Sequence, residues 1–427
     1  MQEDLLHFIW KTNKLVFNNL KTSSGKQIIV KDGGLHNHHA GPDFFNAKVI
    51  IDGQLWAGNV EMHLKSSDWY AHGHEVDINY DNVILHVVWE DDVAVFRKDR
   101  TEIPTLELKD IVPISLLEAY SLLLYNSKKK FVNCEKDFST LDTFAFDHWL
   151  ERLFFERLEQ KAQDVYKLLQ HSENDWEAVL FTMLLKGFGS KVNGAAYTQL
   201  SSSLPFATVR KLKHDALVLE SVLMGQCGLL TLESPVDGYL STLQKEYTFQ
   251  KAKFQLEKLQ VTKPSFFGLR PNSFPTIRLS QLSQLYATCE GLFNKIMTAS
   301  TVDEIYRVFN ISASEYWTTH YTFGKLSKPY KKKLTKSFVD LLIINAVLPL
   351  KFAYSTKTGL VNNELLLDLI RGLSVEKNTI ISAFDAIGPK TLDAFESQAK
   401  LQLYNHYCSK NRCLQCEIGA SLLNKNS

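Results

Sequence analysis

Residues 40–69, AGPDFFNAKVIIDGQLWAGNVEMHLKSSDW, decide the fold of the N-terminal part. Apolar side chains recur at every second position from Phe45 to Ile51, which is the pattern of a half-buried β-strand. Asp52-Gly53 follows at once, and this pair between two strand-like runs predicts a tight hairpin turn. A second strand then runs to Lys65. The stretch therefore predicts a β-hairpin.

The return strand divides its side chains between two faces. Because successive side chains of a strand point to opposite faces, the apolar residues at positions 60, 62 and 64 share one side. Glu61, His63 and Lys65 share the other side, and Asp43 lies at the mouth of the hairpin beside Glu61. Carboxylates, an imidazole and an ammonium group at one sheet edge indicate a metal-binding or catalytic site.

The composition is that of an ordinary globular protein. The 427 residues are long enough for two or three domains, and 48 basic residues nearly balance 47 acidic ones. This balance excludes a generally basic nucleic-acid coat. The N-terminus lacks the pattern of a secretory signal, and no apolar run approaches the roughly 20 residues of a membrane span. We therefore expect a soluble, cytoplasmic protein.

The pattern of the chain changes from mixed to helical near residue 113. Besides the hairpin, the first part contains two helical runs, at residues 3–12 and 75–82, and four strand-like runs, at 26–30, 83–89, 93–97 and 105–108. Beyond it, apolar residues recur at helical spacing and strand-like runs are almost absent. The predicted fold class is α+β. An α/β domain at residues 1–130 precedes a mostly helical domain at 131–427, which ends in a cysteine-rich tail.

The charged edge of the hairpin contains the groups that phosphodiester hydrolysis requires. A hard divalent cation, Mg²⁺ or Mn²⁺, is held by carboxylates and polarises the phosphoryl oxygen, while a nearby cation balances developing charge. We predict that Asp43 and Glu61 bind the metal, together with the backbone carbonyl of Met62. His63 would act as base or ligand, and Lys65 would hold the attacking water or the phosphate.

At these residues the chain resembles the PD-(D/E)XK nuclease superfamily. Pro42-Asp43 matches the family's Pro-Asp, and Glu61-Met62-His63 stands where the family has Glu-x-Lys. A helix before the hairpin and a helix plus a buried strand after it are also similar to that family's core. The resemblance covers roughly the first quarter of the chain and implies that Asp43 and Glu61 are metal ligands. His63 departs from the family's catalytic lysine, and Lys65 on the same face is its candidate replacement.

A second resemblance extends over the whole chain. It rests on the stretches GPDFFNA (41–47), GNVEMHLKSSDW (58–69), VILHVVW (83–89) and RPNSFPTIRLSQL (270–282). The resembled family is an uncharacterised bacterial domain of unknown function, so this resemblance implies no activity.

Two alternatives to a magnesium or manganese nuclease stay open. Histidines near the hairpin, with Asp43 or Glu61, could form a zinc or manganese centre of another class of hydrolase, because imidazole suits transition metals. These histidines are His36, His38, His63, His72 and His74. Alternatively, the nuclease-like fold is catalytically degenerate and serves as a binding or scaffold protein, which His63 in place of lysine favours.

The C-terminal tail contains soft metal ligands. Cys408, Cys413 and Cys416 have the spacing Cys-x4-Cys-x2-Cys, which indicates zinc or an iron–sulfur cluster, with free thiols as the alternative. A fourth ligand would be His406 or the distant Cys134. Some nucleases of the resembled superfamily carry an iron–sulfur cluster that ties the chain's end to the nuclease core, and the resemblance thereby implies Cys134.

Nucleic acid is the partner that these predictions imply. The basic runs 128–130 and 328–336, the second with Tyr330 interleaved, are candidate contacts for a nucleic-acid backbone. The helical domain would position the substrate or a partner.

Overall fold

A computed structural model describes residues 2–12, 20–37, 40–125, 131–231, 236–256 and 261–425. The chain divides into unit 1, Met1–Trp149 with Leu403–Ser427, and unit 2, Leu150–Gln402. The C-terminal tail thus belongs to the unit that contains the hairpin, whereas the predicted division at residue 130 assigned it to the helical domain. His38 and the basic run 128–130 lie outside the described residues.

Strands and helices are numbered in chain order. The strands are β1 (Leu20–Lys21), β2 (Gln27–Asp32), β3 (Leu35–His36), β4 (Phe44–Ile51), β5 (Gln54–Lys65), β6 (Val83–Glu90), β7 (Thr105–Glu107), β8 (His320–Thr322) and β9 (Lys325–Leu326). The helices are α1 (Glu3–Lys11), α2 (Asp68–Ala71), α3 (Ile114–Leu124), α4 (Thr143–His171), α5 (Trp176–Ser202), α6 (Phe206–Leu212), α7 (Ala216–Gln226), α8 (Gly238–Lys253), α9 (Pro275–Thr288), α10 (Leu292–Thr298), α11 (Val302–Val308), α12 (Lys336–Leu342), α13 (Leu348–Thr358), α14 (Asn363–Arg371), α15 (Thr379–Ile387), α16 (Ala394–His406) and α17 (Glu417–Lys425).

Unit 1 is built on a mixed sheet with the strand order β1-β2-β4-β5-β6-β7, in which β3 also pairs with β4. β4 runs antiparallel to both β2 and β5, whereas β6 runs parallel to β5 and β7 parallel to β6. β4 and β5 form the predicted hairpin. Its turn residues Asp52 and Gly53 both have positive φ angles (50° and 81°), as a two-residue turn of this kind requires. The chain crosses from β5 to the parallel β6 through α2.

The prediction of a strand at residues 93–97 is wrong. In this segment only Phe96 forms a bridge, to Glu102. The guanidinium group of Arg97 donates two hydrogen bonds to the carbonyl oxygen of Val83 (3.2 and 2.7 Å), so it fastens a loop to the start of β6. The other predicted strands correspond to β2, β6 and β7.

Helix α1 packs against the sheet of unit 1. Its apolar residues Leu5, Leu6, Phe8, Ile9 and Trp10 are buried in one core with side chains from β4, β5 and β6. Burial of one such side chain stabilises a fold by about 1.5–3 kcal/mol, so this face fixes the helix on the sheet. The polar residues Glu3 and His7 of α1 are partly buried and do not belong to this core.

Unit 2 is largely helical, as the sequence predicts, and its short strands β8 and β9 pair with each other. The chain as a whole is therefore α+β. Within the described ranges, the single segment long and apolar enough to span a membrane is Lys336–Thr358, and 78% of its apolar window is buried, as in a core helix. Of the basic run 328–336, Lys332 is buried and its ammonium group donates to the carbonyls of Trp317 and Thr318, so this lysine serves the fold.

Candidate metal centre

The mouth of the hairpin holds two carboxylates in a fixed arrangement. Asp43 directly precedes β4, and pairing of Phe44 with Val60 places it beside Glu61 on β5. The backbone N–H of Asp43 donates to Oε2 of Glu61 at 3.1 Å. In return, the backbone N–H of Met62 donates to Oδ2 of Asp43 at 3.0 Å. These reciprocal hydrogen bonds orient both carboxylates, so their side-by-side placement is a property of the backbone pairing.

Helix α1 adds two groups, His7 and Glu3, that the sequence pattern does not single out. Nε2 of His7 lies 3.2 Å from Oδ2 of Asp43. Burial lowers the pKa of His7, but the hydrogen bond and the negative charge of Asp43 outweigh burial and raise it. Burial and the charge of Asp43 also raise the pKa of Glu3, one helical turn earlier. The only signal in the sequence is that these two polar residues, four positions apart, lie beside an apolar stripe. This pattern does not predict which residues of the sheet they contact.

Three imidazoles converge beside Glu61. One nitrogen from each of His63, His72 and His74 lies within 4.8 Å of the others. Nε2 of His63 lies 3.1 Å from Nδ1 of His72 and 3.6 Å from Oε1 of Glu61. Nε2 of His74 lies 3.5 Å from the same carboxylate oxygen. The loop after α2 turns back toward β5 at Gly73, whose left-handed conformation (φ 73°) brings both loop histidines to the site.

His86 on β6 positions His63 on the neighbouring strand. Nε2 of His86 lies 2.9 Å from Nδ1 of His63, so one ring donates a hydrogen bond to the other. Both rings are buried, and burial together with the neighbouring imidazoles lowers the pKa of each to about 3. His63 is therefore uncharged at neutral pH. It can act as a ligand or a base, but it does not supply the positive charge of a lysine.

The surroundings of Glu61 strongly shift the pKa of its carboxyl group. Its side chain is 7% exposed. Burial raises the pKa of Glu61 to about 9 and the charge of Asp43 adds to the rise, while the hydrogen bond from the Asp43 backbone opposes it. A cation bound between the two carboxylates would favour the ionised form of Glu61, because opposite charges at short range lower a carboxyl pKa.

The donor set fits a transition-metal ion. It offers the carboxylate oxygens of Asp43 and Glu61 on one side and three imidazole nitrogens on the other, and the three nitrogens alone lie within 4.8 Å of one another. Mg²⁺ prefers oxygen ligands, imidazole suits Zn²⁺, and Mn²⁺ is typically bound by carboxylates with nitrogen ligands tolerated. The structure thus places Asp43 and Glu61 of the predicted carboxylate site beside His63, His72 and His74 of the predicted histidine site, which the sequence presented as alternatives.

Other predicted residues lie at the margin of the centre. Lys65 is exposed at the end of β5, and within the described part of the chain no hydrogen bond or ion pair joins its ammonium group to the carboxylates. His36 stacks on Phe44, with 4.8 Å between ring centroids, and its ring borders His7. The side chain of Met62 is buried in the core, and its carbonyl stays a predicted ligand.

A separate group of cysteines meets in unit 1. The thiol site consists of Cys134, Cys408, Cys413 and Cys416, whose side chains line one small cavity. Burial raises the pKa of Cys134 to about 12 and that of Cys416 to about 11, and neighbouring thiols add to both shifts. His406, the other predicted fourth ligand, is not among the described residues that line this cavity.

The chain belongs to a family of proteins of unknown function. The family model described as "Protein of unknown function (DUF2851)" matches residues 3–379. This match confirms the resemblance to a domain-of-unknown-function family and takes in the whole hairpin region. No curated protein and no solved structure matches the chain.

Proposed function

We propose that unit 1 is a manganese-dependent hydrolase of nucleic-acid phosphodiesters, with the ion held by Asp43, Glu61 and adjacent imidazoles. The observation that carries this proposal is the pairing of the two carboxylates by reciprocal hydrogen bonds next to three converging imidazoles. Mn²⁺ in such a site polarises a phosphoryl oxygen and lowers the pKa of bound water. Mn²⁺ is also the ion common to both predicted sites.

The protein's own residues have distinct roles in this proposal. Asp43 and Glu61 supply the negative charge that attracts the ion. His7 faces Oδ2 of Asp43 and keeps that carboxylate oriented. His72 is exposed at the edge of the centre, so it is the residue best placed to take a proton from an attacking water.

The order of the elements supports the nuclease assignment. The resemblance implies a helix, a hairpin, a second helix and a buried strand in succession, and α1, β4–β5, α2 and β6 have this order. β6 lies inside the sheet, between β5 and β7. Its residues from Val83 to Val88 are all buried, as expected of a central strand in such a core.

A second candidate is a cytoplasmic nucleic-acid-binding or scaffold protein that keeps the fold without catalysis. One observation favours it: His63 is uncharged and Lys65 is exposed, so neither places a positive charge where the resembled family has its lysine. Under this alternative Mn²⁺ binds at the centre but no phosphodiester is cleaved.

Cleavage assays on the purified full-length chain test the proposal. Single- and double-stranded DNA and RNA are incubated with Mn²⁺, Mg²⁺, Zn²⁺ or EDTA. We expect Mn²⁺-dependent cleavage that falls at least about tenfold in Glu61→Ala, because a metal ligand is lost. Glu90→Ala is the matched control, since Glu90 lies on the neighbouring strand β6 with its side chain 42% exposed.

The outcomes distinguish the manganese-dependent hydrolase from the binding or scaffold protein without catalysis. Absence of cleavage with every substrate and ion, or equal cleavage by wild type and Glu61→Ala, contradicts the hydrolase. Mn²⁺ binding that Glu61→Ala abolishes, without cleavage by the wild type, supports the second candidate. Cleavage with Zn²⁺ alone would contradict the assignment of manganese and make the centre that of a zinc-dependent phosphodiesterase.

A further inference from the structure

We propose that a cavity in unit 2 binds a small organic phosphate, with the phosphate on basic side chains and an apolar body on neighbouring apolar ones. The cavity has a volume of about 500 Å³ and is lined mainly by residues of α4, α5 and α12. Cavities of roughly 300–1,000 Å³ are typical of small-molecule sites. All the lining residues belong to unit 2, so this proposal does not depend on the activity proposed for the metal centre.

Four basic residues line the cavity, and none of them is paired with a carboxylate. They are Arg157 and Lys161 of α4 and Lys186 and Lys191 of α5. Within the described residues of unit 2, the ion pairs involve Arg210 and Lys400 instead. Unpaired positive charges around one cavity favour an anion inside it.

The two acidic residues that line the cavity do not cancel this charge. Both oxygens of Glu376 accept hydrogen bonds from amides, Oε2 from Nε2 of Gln398 at 2.6 Å and Oε1 from Nδ2 of Asn378 at 3.2 Å. The second acidic residue, Asp164, is exposed. An excess of up to two positive charges thus remains, which matches the charge of about −1.5 to −2 on a phosphate monoester at pH 7. A carboxylate carries only one charge and fits less well.

The guanidinium group of Arg157 is oriented by a buried amide. Its Nε donates to Oε1 of Gln398 at 2.8 Å, and Gln398 is buried. The same amide donates to Glu376, so one side chain orients both of these charged groups. Within the described part of unit 2, no hydrogen bond uses the two terminal nitrogens of Arg157. A guanidinium group with these nitrogens available can bind two oxygens of a phosphate at once.

Lys161 is positioned by the segment that follows α12. Its ammonium group donates to the carbonyl oxygen of Ile344 at 3.1 Å and to Oδ1 of Asn345 at 3.0 Å. An ammonium group has three N–H donors, so one remains for a ligand. Burial lowers the pKa of Lys161 to about 7, and the positive charge of Arg157 adds to the fall. A bound anion would favour the protonated form, because opposite charges at short range attract.

Two irregular backbone segments border the cavity. Ser190 within α5 has φ 52° and ψ −155°, which divides this helix into two helical stretches. Residues 343–347, between α12 and α13, form a π-helix, a rare feature that is frequent at functional sites. Ser190 and Asn345, one from each segment, both line the cavity. The second stretch of α5 also begins there, at Lys191, and a helix N-terminus carries a partial positive charge.

Apolar side chains form the rest of the lining. They are Val165 and Leu168 of α4, Met183 of α5, and Phe338 and Leu341 of α12. The segment Lys336–Thr358 is mostly buried, yet Leu341 is 42% exposed and Asn345, whose amide donates to the Leu341 carbonyl, is exposed too. An apolar group beside the phosphate would cover this surface. The lining therefore favours an organic phosphate over the inorganic ion.

Calorimetric titration of the full-length chain with phenylphosphonate, in EDTA, tests the proposal. This probe joins a phosphate-like head to an apolar ring and contains no ester bond to cleave. We expect saturable binding that weakens at least about tenfold in Lys161→Met and in Arg157→Met, because each variant loses a charged hydrogen-bond donor. Lys357→Met is the matched control. Lys357 is exposed in unit 2 and does not line the cavity, so the variant should bind as the wild type does.

A third variant covers the case in which the α4 variants fail to fold. Lys186 is exposed, and within the described residues its ammonium group joins no hydrogen bond or ion pair, so Lys186→Met should keep the fold. Its affinity for phenylphosphonate should fall about threefold or more, with an unchanged circular dichroism spectrum.

Two further probes separate the parts of the ligand. Benzoate has a single charge and inorganic phosphate lacks an apolar body, so each should bind at least about fivefold more weakly than phenylphosphonate. The proposal would be overturned by absence of saturable binding, by wild-type affinity in Lys186→Met, by an equal loss in Lys357→Met, or by either further probe binding as tightly as phenylphosphonate. None of these results depends on cleavage or on Mn²⁺ binding.

Discussion

Replacement of Glu61 by Gln should change how the stability of the metal-free protein depends on pH. In the folded protein burial raises the pKa of Glu61 to about 9, whereas the ordinary value is 4.5. Between these values the folded protein keeps a proton that the unfolded chain releases, so unfolding becomes easier as pH rises. Each pH unit contributes about 1.4 kcal/mol, and the interval from about pH 5 to about pH 8 therefore contributes ~4 kcal/mol. Gln has no proton to lose and removes this contribution.

Urea unfolding of the full-length chain in EDTA, at both pH values, measures the effect. Relative to Glu61→Gln, the wild type should lose ~4 kcal/mol of unfolding free energy between the lower and the higher pH. Glu90→Gln is the control and should follow the wild type, since its side chain is 42% exposed. Added Mn²⁺ should reduce the difference, because the ion stabilises ionised Glu61. Identical pH dependence in wild type and Glu61→Gln would refute the reasoning.

Three further substitutions test the geometry. His74→Ala should weaken Mn²⁺ binding by roughly tenfold or more in calorimetric titration. The control is His214→Ala, an exposed position in unit 2, which should leave the affinity unchanged. If His74→Ala and the wild type bind Mn²⁺ with equal affinity, His74 does not belong to the site. Lys65→Ala should leave Mn²⁺ affinity at the wild-type value because its side chain is exposed, so a large loss of affinity would contradict its marginal position. Gly58→Ala would place a Cβ 2.4 Å from Cγ2 of Ile84. This overlap should lower the free energy of unfolding, measured by thermal unfolding, by about 1–3 kcal/mol. Unchanged stability would argue against this packing.

The hairpin could be predicted because its information is local. A period of two and the pair Asp52-Gly53 fix both strands and the turn. Which residue of β5 lies opposite Asp43 depends on a β-bulge, and the alternation of apolar residues does not show this bulge. One extra residue on β4 shifts the register between Phe44 and Ala47, next to Asn46 with its positive φ of 59°. Without this bulge, a two-residue turn would place Asp43 opposite Met62 instead of Glu61.

The other residues of the proposed centre could not be placed from sequence because they come from elements that only the fold brings together. His7 lies on α1, and its distance from Asp43 depends on how that helix packs on the sheet. His72 and His74 were candidates from their residue type, but their approach to His63 depends on the turn after α2. The proposed metal centre is thus a tertiary feature around a hairpin that the sequence predicts.

The most direct test of the account is a crystal structure of the full-length chain with Mn²⁺, read for anomalous scattering. We predict one manganese peak within bonding distance of carboxylate oxygens of Asp43 and Glu61 and of at least one imidazole nitrogen from His63, His72 or His74. The peak should vanish in Glu61→Gln crystals grown under the same conditions. A wild-type structure with the hairpin intact and no manganese at these side chains, or with manganese bound only elsewhere, would contradict the proposed centre.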